Sequence, residues 1–144
     1  MSVYVVFDEN DIEWASFKLR YLVKRKLQNK LKKHNISLDQ WIILSIIYQS
    51  EGSNQKKLAE LAHRDRAAIT RILNILEYKE LIDRKNSYHD RREFLIYLTD
   101  KGKDLYEETS KIMSQNAQEI KSIFSKSELE QFNSLLNKLS SNLE

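Results

Sequence analysis

The sequence predicts a mainly α fold carrying one small β-hairpin, and three observations predict it. Proline is absent and glycine occurs only at Gly52 and Gly102, so helices meet few breakers and turns must be few. Apolar residues recur at helical spacing along much of the chain. Only after Tyr78 does the period change to two, with Leu81-Ile82-Asp83-Arg84-Lys85, a polar loop, and then Phe94-Leu95-Ile96-Tyr97-Leu98 returning.

The first helix is marked by a stripe of Ile12, Ala15, Leu19, Val23, Leu27 and Leu31, with Trp14, Phe17 and Tyr21 to one side. From Trp14 to Lys33 it carries eight basic residues and no acidic one, whereas the chain from Lys103 onward has five basic and seven acidic residues. A basic helix of this kind can touch DNA, lie on a membrane surface or present a solvated face. Its apolar stripe still has to be covered, and packing against a partner is favoured over membrane binding.

From Ser53 to Gly102 the order is helix, tight turn, helix, strand, charged loop, strand, which is a winged helix-turn-helix. In the second helix of the pair, Ile69, Ile72, Leu73 and Leu76 form one apolar stripe. The opposite face holds Arg66, Ala67, Thr70, Arg71 and Asn74. Arg and Asn can make paired hydrogen bonds to guanine and adenine edges in the major groove, and small residues permit close approach. Asp65 stands at the N-cap position, which starts the helix there and pushes Arg66 and Ala67 toward the groove. Taken alone, this is also what an ordinary surface helix with two arginines looks like.

The hairpin decides between these readings. Its tip, from Asn86 to Arg92, carries Tyr88, His89, Asp90, Arg91 and Arg92 with hardly any apolar surface, so it should project from the core. Arginine on a projecting ribbon suits a narrow A·T-rich minor groove. A surface pair between Arg92 and Asp90 would add only about 0 to 1 kcal/mol to stability, and it could also hold the arginine facing DNA. Lys56, Lys57 and Arg84 are either phosphate contacts or solvated charge.

The run Asp90-Arg91-Arg92-Glu93-Phe94-Leu95-Ile96-Tyr97-Leu98-Thr99-Asp100-Lys101-Gly102 resembles the wing and following helix start of the multiple antibiotic resistance regulator (MarR) family. Upstream, Leu38-Asp39-Gln40-Trp41 with Leu44 resembles the family's second helix, Leu58-Ala59-Glu60 its third, and Ala68-Ile69-Thr70-Arg71 with Leu76-Glu77 its recognition helix. The resemblance implies a homodimeric, mainly helical transcription regulator that binds pseudo-palindromic operators and often releases DNA when a small ligand or oxidant acts. Three positions depart from the pattern. His63 stands in the turn where Gly is frequent, Glu80 where Gly commonly ends the recognition helix, and Lys57 where Glu would complete a capping box with Asn54. His tolerates a left-handed backbone better than most residues, Glu80 should cost about 1 kcal/mol if left-handed, and the third helix then relies on the Asn54 cap alone.

Beyond the wing, Thr99 is a good N-cap for a helix through Leu105, Ile112, Met113, Ile120 and Phe124. Ser127-Glu128-Leu129-Glu130 reads as a capping box for a last helix with Leu129, Phe132, Leu135, Leu136, Leu139 and Leu143. The expected organisation is a single domain over 1–144, with dimerisation helices at 1–36 and 103–144 and the winged lobe at 37–102. Intramolecular packing of these helices is the simpler alternative. Dimerisation is favoured because a symmetric operator needs two recognition helices about 34 to 36 Å apart.

Other functions find little support. His34, His63 and His89 are far apart in sequence, no H-E-x-x-H spacing or phosphate-cradling Gly loop occurs, and no enzyme activity or cofactor is expected. Only a site assembled from separated His and carboxylates could hold zinc. The absence of Cys removes disulfides, thiol-ligated metals and cysteine oxidation sensing. The start, Met1-Ser2-Val3-Tyr4-Val5-Val6-Phe7-Asp8, lacks the pattern of a signal peptide, and no apolar run is long enough to span a membrane, so a cytoplasmic protein without membrane insertion is expected.

The expected partners are double-stranded DNA and a second copy of the chain. Two alternatives are a winged-helix protein-interaction module and a membrane-surface protein using the first helix; Arg71 and Asn74 on the reading face argue against the former. In the resembling family, ligands often occupy the cleft between dimerisation helices and winged lobe, which implies a site for a small aromatic effector near Trp14, Tyr21, Trp41 and Tyr48. The same aromatics can equally be core.

Overall fold

Helices begin where a side chain can take up orphan backbone N–H groups, and four such caps lay out the N-terminal part of this molecule. The structure, a computed structural model, describes residues 7–144. The first six residues, on which most of the signal-peptide reading rests, lie outside the described residues. The elements are α1 (Ile12–Leu31), a 3-10 turn (Lys32–His34), α2 (Leu38–Gln49), β1 (Ser53–Asn54), α3 (Gln55–Leu61), α4 (Arg66–Tyr78), β2 (Ile82–Asn86), β3 (Phe94–Leu98), α5 (Asp100–Lys121) and α6 (Lys126–Leu143). They divide into two compact units, Met1–Thr109 and Ser110–Glu144.

In the first unit, Ser37 Oγ accepts the Gln40 N–H at 3.1 Å while Gln40 Oε1 accepts the Ser37 N–H at 3.3 Å, a capping box that starts α2. Asn54 Oδ1 accepts the Lys57 N–H at 2.8 Å to start α3, and Asp65 Oδ1 accepts the Ala68 N–H at 2.7 Å to start α4. Thr99 Oγ1 accepts the Gly102 N–H at 3.0 Å to start α5. The helix ends are as regular as the starts. His63 (φ 51) and Glu80 (φ 60) are both left-handed, as expected from their places, and Asn35 (φ 52) is a third such residue.

At each of the first two, the next residue reaches back over the helix end: Arg64 N–H to Ala59 O at 3.0 Å, and Leu81 N–H to Leu76 O at 2.9 Å. The shorter bonds, His63 N–H to Glu60 O and Glu80 N–H to Glu77 O, complete two Schellman motifs built without glycine.

The core lies between α2, α3, α4 and the sheet. Leu44, Ile47, Leu58, Ile69, Leu73 and Leu76 are fully buried, joined by Ile43, Ile82 and Ile96. The stripe expected on α4 is therefore its buried face, each such side chain contributing about 1.5 to 3 kcal/mol on burial. The sheet has three antiparallel strands in the order β1-β3-β2, with Ile82 opposite Leu98, Arg84 opposite Ile96 and Ser53 opposite Ile96 on the other side. β1 adds a strand to the expected hairpin and ties the start of α3 to the wing.

Asp39, on α2, is held by Lys24 of α1 at 3.3 Å and Arg64 at 2.5 Å. Partial burial raises its pKa, but the two cations together outweigh that and hold the carboxyl below its ordinary value. At Gly102 a Cβ would stand 2.1 Å from the Leu81 carbonyl oxygen, so the first turn of α5 packs directly on the strand start.

In the second unit, α6 starts at Ser125, whose Oγ accepts the Glu128 N–H at 3.1 Å while Glu128 Oε1 accepts the Ser125 N–H at 2.9 Å. This corrects the expected Ser127–Glu130 box. Two overlapping Ser-x-x-Glu spacings are present, and the upstream one wins where the chain turns after Ile123, leaving Ser127 inside the helix. Phe124 lies beyond the end of α5 and stacks on Phe132 at 5.5 Å. No α6 side chain is buried, and Leu135, Leu136 and Leu143 are exposed. Among the described residues, no helix is long and apolar enough to cross a membrane.

Candidate nucleic-acid interface

With its apolar stripe buried, α4 turns Arg66, Ala67, Arg71 and Asn74 to solvent, and Thr70 is half-buried between them. Two of these side chains are already engaged. Thr70 Oγ1 donates to Arg66 O at 2.8 Å, closing a bond to the previous turn, and accepts from Gln55 Nε2. Asn74 Oδ1 accepts from Arg84 Nη2 at 2.9 Å, and Arg84 Nη1 donates to Glu77 Oε2 at 2.7 Å. The guanidinium of Arg84, read from sequence as a phosphate contact or solvated charge, thus lies across the end of α4.

The wing is ordered by its own turn chemistry. Asp90 Oδ1 accepts the Arg92 backbone N–H at 2.9 Å, Asp90 O accepts the Glu93 N–H at 3.0 Å, and Ser87 N–H donates to Glu93 O at 2.8 Å. Asp90 therefore shapes the backbone beneath Arg92. Tyr88, His89, Asp90, Arg91 and Arg92 are all exposed, as a projecting tip requires.

An open groove of about 360 Å³ brings the start of α3, the start of α4 and the wing together. Lys56, Arg66 and Arg92 line it with Asp90 and Glu93, so three cations from separate elements face one space. Asn54 Nδ2 also donates to Glu93 Oε1, so the residue that caps α3 fastens the wing base as well. Lys57 is exposed on α3 and borders a neighbouring hollow with Gly52 and Leu95. Gln55, Glu77 and Glu93 escaped the sequence reading of the site. Glu77 and Glu93 both stand in family-like motifs and Gln55 in none, and the bonds from Gln55 to Thr70 and from Arg84 to Glu77 form only once the chain has folded.

The four aromatics expected near an effector separate into two pairs. Trp41 and Tyr48 both pack on Tyr106, with ring centroids 6.0 and 4.2 Å apart, and Trp41 Nε1–H donates to Thr109 Oγ1 at 2.9 Å. Trp14 and Tyr21 are exposed on α1, where Arg25 lies 5.8 Å from the Tyr21 ring centre. Among the described residues no ring contact joins the two pairs. A cleft of about 530 Å³ is lined by His34, Lys79, Lys101, Asp104, Leu105 and Glu108, among others, and by none of the four. Burial holds the Lys79 ammonium below its ordinary pKa. No group of three or more His, Cys, Asp and Glu among the described residues could hold a metal ion.

Comparison with known proteins agrees with this geometry. The model of the MarR family matches residues 36–94, which run from just before α2 to the first residue of β3. The HTH-type transcriptional regulator MgrA of Staphylococcus aureus is 32% identical over 118 residues, 81% of this chain and 79% of that protein. The organic hydroperoxide resistance transcriptional regulator of Bacillus subtilis is 32% identical over 100 residues, 67% of this chain and 68% of its own length. Among solved structures, the MepR–DNA complex of S. aureus superposes with a TM-score of 0.87 at 29% identity, covering 93% of this chain and 98% of MepR. With the recognition helix, the wing and the motifs between them all in place, the chain belongs to the MarR family of transcriptional regulators.

Proposed function

We propose that the protein is a homodimeric repressor that binds a pseudo-palindromic operator in duplex DNA and acts in the cytoplasm. One observation carries the reading: the exposed α4 face adjoins a groove in which Lys56, Arg66 and Arg92 converge from three elements. Regulation of transcription through DNA is the activity of the family, and the MepR structure with DNA shares this fold.

In this reading, Arg66, Ala67, Thr70, Arg71 and Asn74 enter the major groove. Arg91 and Arg92, shaped by Asp90, enter the adjacent minor groove. Lys56 and Lys57 take backbone phosphates, and Arg84 acts from behind Asn74. The winged lobe at 37–102 reads DNA while helices of 1–36 and 103–144 dimerise, covering the apolar side chains exposed on α1 and α6. Trp41 and Tyr48, with Tyr106, offer aromatic walls for a small effector, and Trp14 and Tyr21 lie on the helix assigned to the dimer.

Selection of genomic fragments by the purified protein, followed by fluorescence anisotropy over a salt series, tests the assignment. Arg71→Ala should cost about 1 to 3 kcal/mol and relax one position per half-site. Arg92→Ala should weaken all sequences and flatten the salt dependence by roughly one ion per wing. Unchanged operator affinity of Arg92→Ala across the salt series would reduce the wing to a structural hairpin.

A further inference from the structure

α1 buries only Leu31 within its own chain, and its polar side chains reach the winged lobe at one corner, the first turn of α2. Gln28 of α1 accepts the Leu38 N–H through Oε1 at 2.8 Å and donates Nε2–H to Ile36 O at 3.5 Å. Lys24, one turn earlier on α1, donates to Asp39 Oδ2 at 3.3 Å, while Asp39 Oδ1 accepts from Arg64 Nη2 at 2.5 Å. Arg64 stands in the turn between α3 and α4. A single carboxylate thus ties the helix assigned to the dimer to the chain that leads into α4.

The far end of α4 reaches the same corner. Lys79, its C-cap residue, donates from Nζ to Asn35 O at 2.7 Å and to Gln40 Oε1 at 3.0 Å. Asn35 is the left-handed residue that ends the 3-10 turn, and Gln40 closes the Ser37 capping box. Both ends of α4 are therefore bonded to the start of α2, which α1 grips from its own side. The side chains of Lys24, Asp39 and Arg64 are 30% to 48% exposed, so their pairs add little to folding stability. What these bonds set is the direction of the lobe on α1.

Direction matters to a symmetric reader of DNA. One base pair added between two half-sites moves the second by about 3.4 Å and turns it by about a tenth of a turn. A lobe fixed on α1 cannot follow that movement, whereas a lobe free to swivel can.

We infer that Asp39 and Lys79 are positioning residues that fix the winged lobe on α1 and thereby set the half-site spacing the dimer accepts. The inference rests on the reading proposed above, with α1 in the dimer and α4 on DNA. Neither residue needs to touch DNA, and the Asp39 carboxylate would be repelled by phosphate.

Fluorescence anisotropy tests it on the operator selected by the parent protein and on duplexes with one or two base pairs added to or removed from its centre. The proteins compared at one salt concentration are the parent, Asp39→Asn, Lys79→Met, the double variant and Lys79→Arg. A change of one base pair should cost the parent about tenfold or more in affinity. In the double variant that loss should shrink to about threefold or less, with each single variant between the two. Base preference within each half-site, and the dimer dissociation constant from sedimentation, should stay as in the parent. Lys79→Arg keeps the charge and the donors and should keep the parent's spacing profile. Simple electrostatics predicts a different result, because Asp39→Asn removes a negative charge and would tighten binding to every duplex alike. Circular dichroism establishes that each variant is folded; if the double variant is not, the single variants decide.

Four results overturn the inference: a parent that binds altered spacings as tightly as its operator, folded variants with the parent's spacing profile, a Lys79→Arg as permissive as Lys79→Met, or variants that lose base preference within the half-site together with spacing preference. A parent that selects no sequence, or only single half-sites, overturns the dimeric DNA-reading function itself, an outcome distinct from a paired operator whose spacing these residues do not control.

Discussion

Helices α4 and α1 are both amphipathic, yet they end up in opposite situations. α4 buries Ile69, Ile72, Leu73 and Leu76 within its 13 residues, whereas α1 buries only Leu31 within its 20. Ile12, Phe17, Leu19 and Leu22 of α1 remain exposed. A periodic stripe shows that a face needs cover but not which chain provides it. α4 finds its cover in α2, α3 and the sheet of its own unit. For α1, the proposed second copy is the cover, and the difference becomes measurable because intramolecular packing is independent of protein concentration while association is not.

The largest effect should come from the core under α4. Leu73 is fully buried, so Leu73→Ala should lower unfolding free energy by about 2 to 5 kcal/mol through lost transfer energy and a residual cavity. The loss should be the same at low and high protein concentration. Leu19→Asp on α1 is the contrasting variant. With Leu19 half-exposed, the lobe should stay folded by circular dichroism while sedimentation shows the dimer dissociation constant raised about tenfold or more, 1.4 kcal/mol per tenfold. An unchanged dimer in Leu19→Asp would mean that the α1 face is not the one a second copy covers.

Next in size is Gly102→Ala, at the junction where α5 leaves the winged lobe. The new methyl would meet the Leu81 carbonyl oxygen at 2.1 Å, a backbone atom held by the Thr99 N–H at 3.1 Å. Overpacking of this kind costs about 1 to 3 kcal/mol, outweighing the roughly 1 kcal/mol by which alanine is the better helix former. A drop in melting temperature of the same size at every protein concentration is expected. A variant as stable as the parent would show that α5 can shift away from Leu81 at little cost.

The same contrast explains how much was legible from sequence. Local signals translated directly into structure: the caps at Asn54, Asp65 and Thr99, the buried stripe of α4, and the left-handed residues His63 and Glu80 all depend on neighbours within a few positions. β1 was missed because two residues are too short to show a period, and its pairing with β3 joins positions far apart in the chain. The Ser125 cap was missed because a second Ser-x-x-Glu stood two residues away and both satisfied the rule. In the candidate site, the residue types on α4 and the wing were legible, but the side chains that constrain them were not. Gln55 reaches Thr70 and Arg84 reaches Asn74 only after α3, α4 and β2 have packed. Residue type tells what a side chain can donate or accept, and the folded neighbours decide which of those capacities remain.

The smallest expected effect lies at the end of α4, and it is stabilising. Glu80 sits at φ 60 in a Schellman motif, where the β-carbon of an L-residue is strained against its own backbone. Glu80→Gly removes that strain but enlarges the conformational freedom of the unfolded chain, so the net gain should be about 0.5 to 1 kcal/mol. For a chain of this length that is a rise of about 1 to 4 °C in melting temperature. The Glu80 backbone bonds do not use its side chain: its N–H donates to Glu77 O, and its carbonyl accepts from Thr99 Oγ1 at 2.7 Å. Because the strain is local to the end of α4, the rise should be equal at low and high protein concentration and leave the dimer constant unchanged. A gain that grows with concentration would mean that the end of α4 is coupled to the dimer, and the separation drawn between α4 and α1 would then fail at this helix terminus.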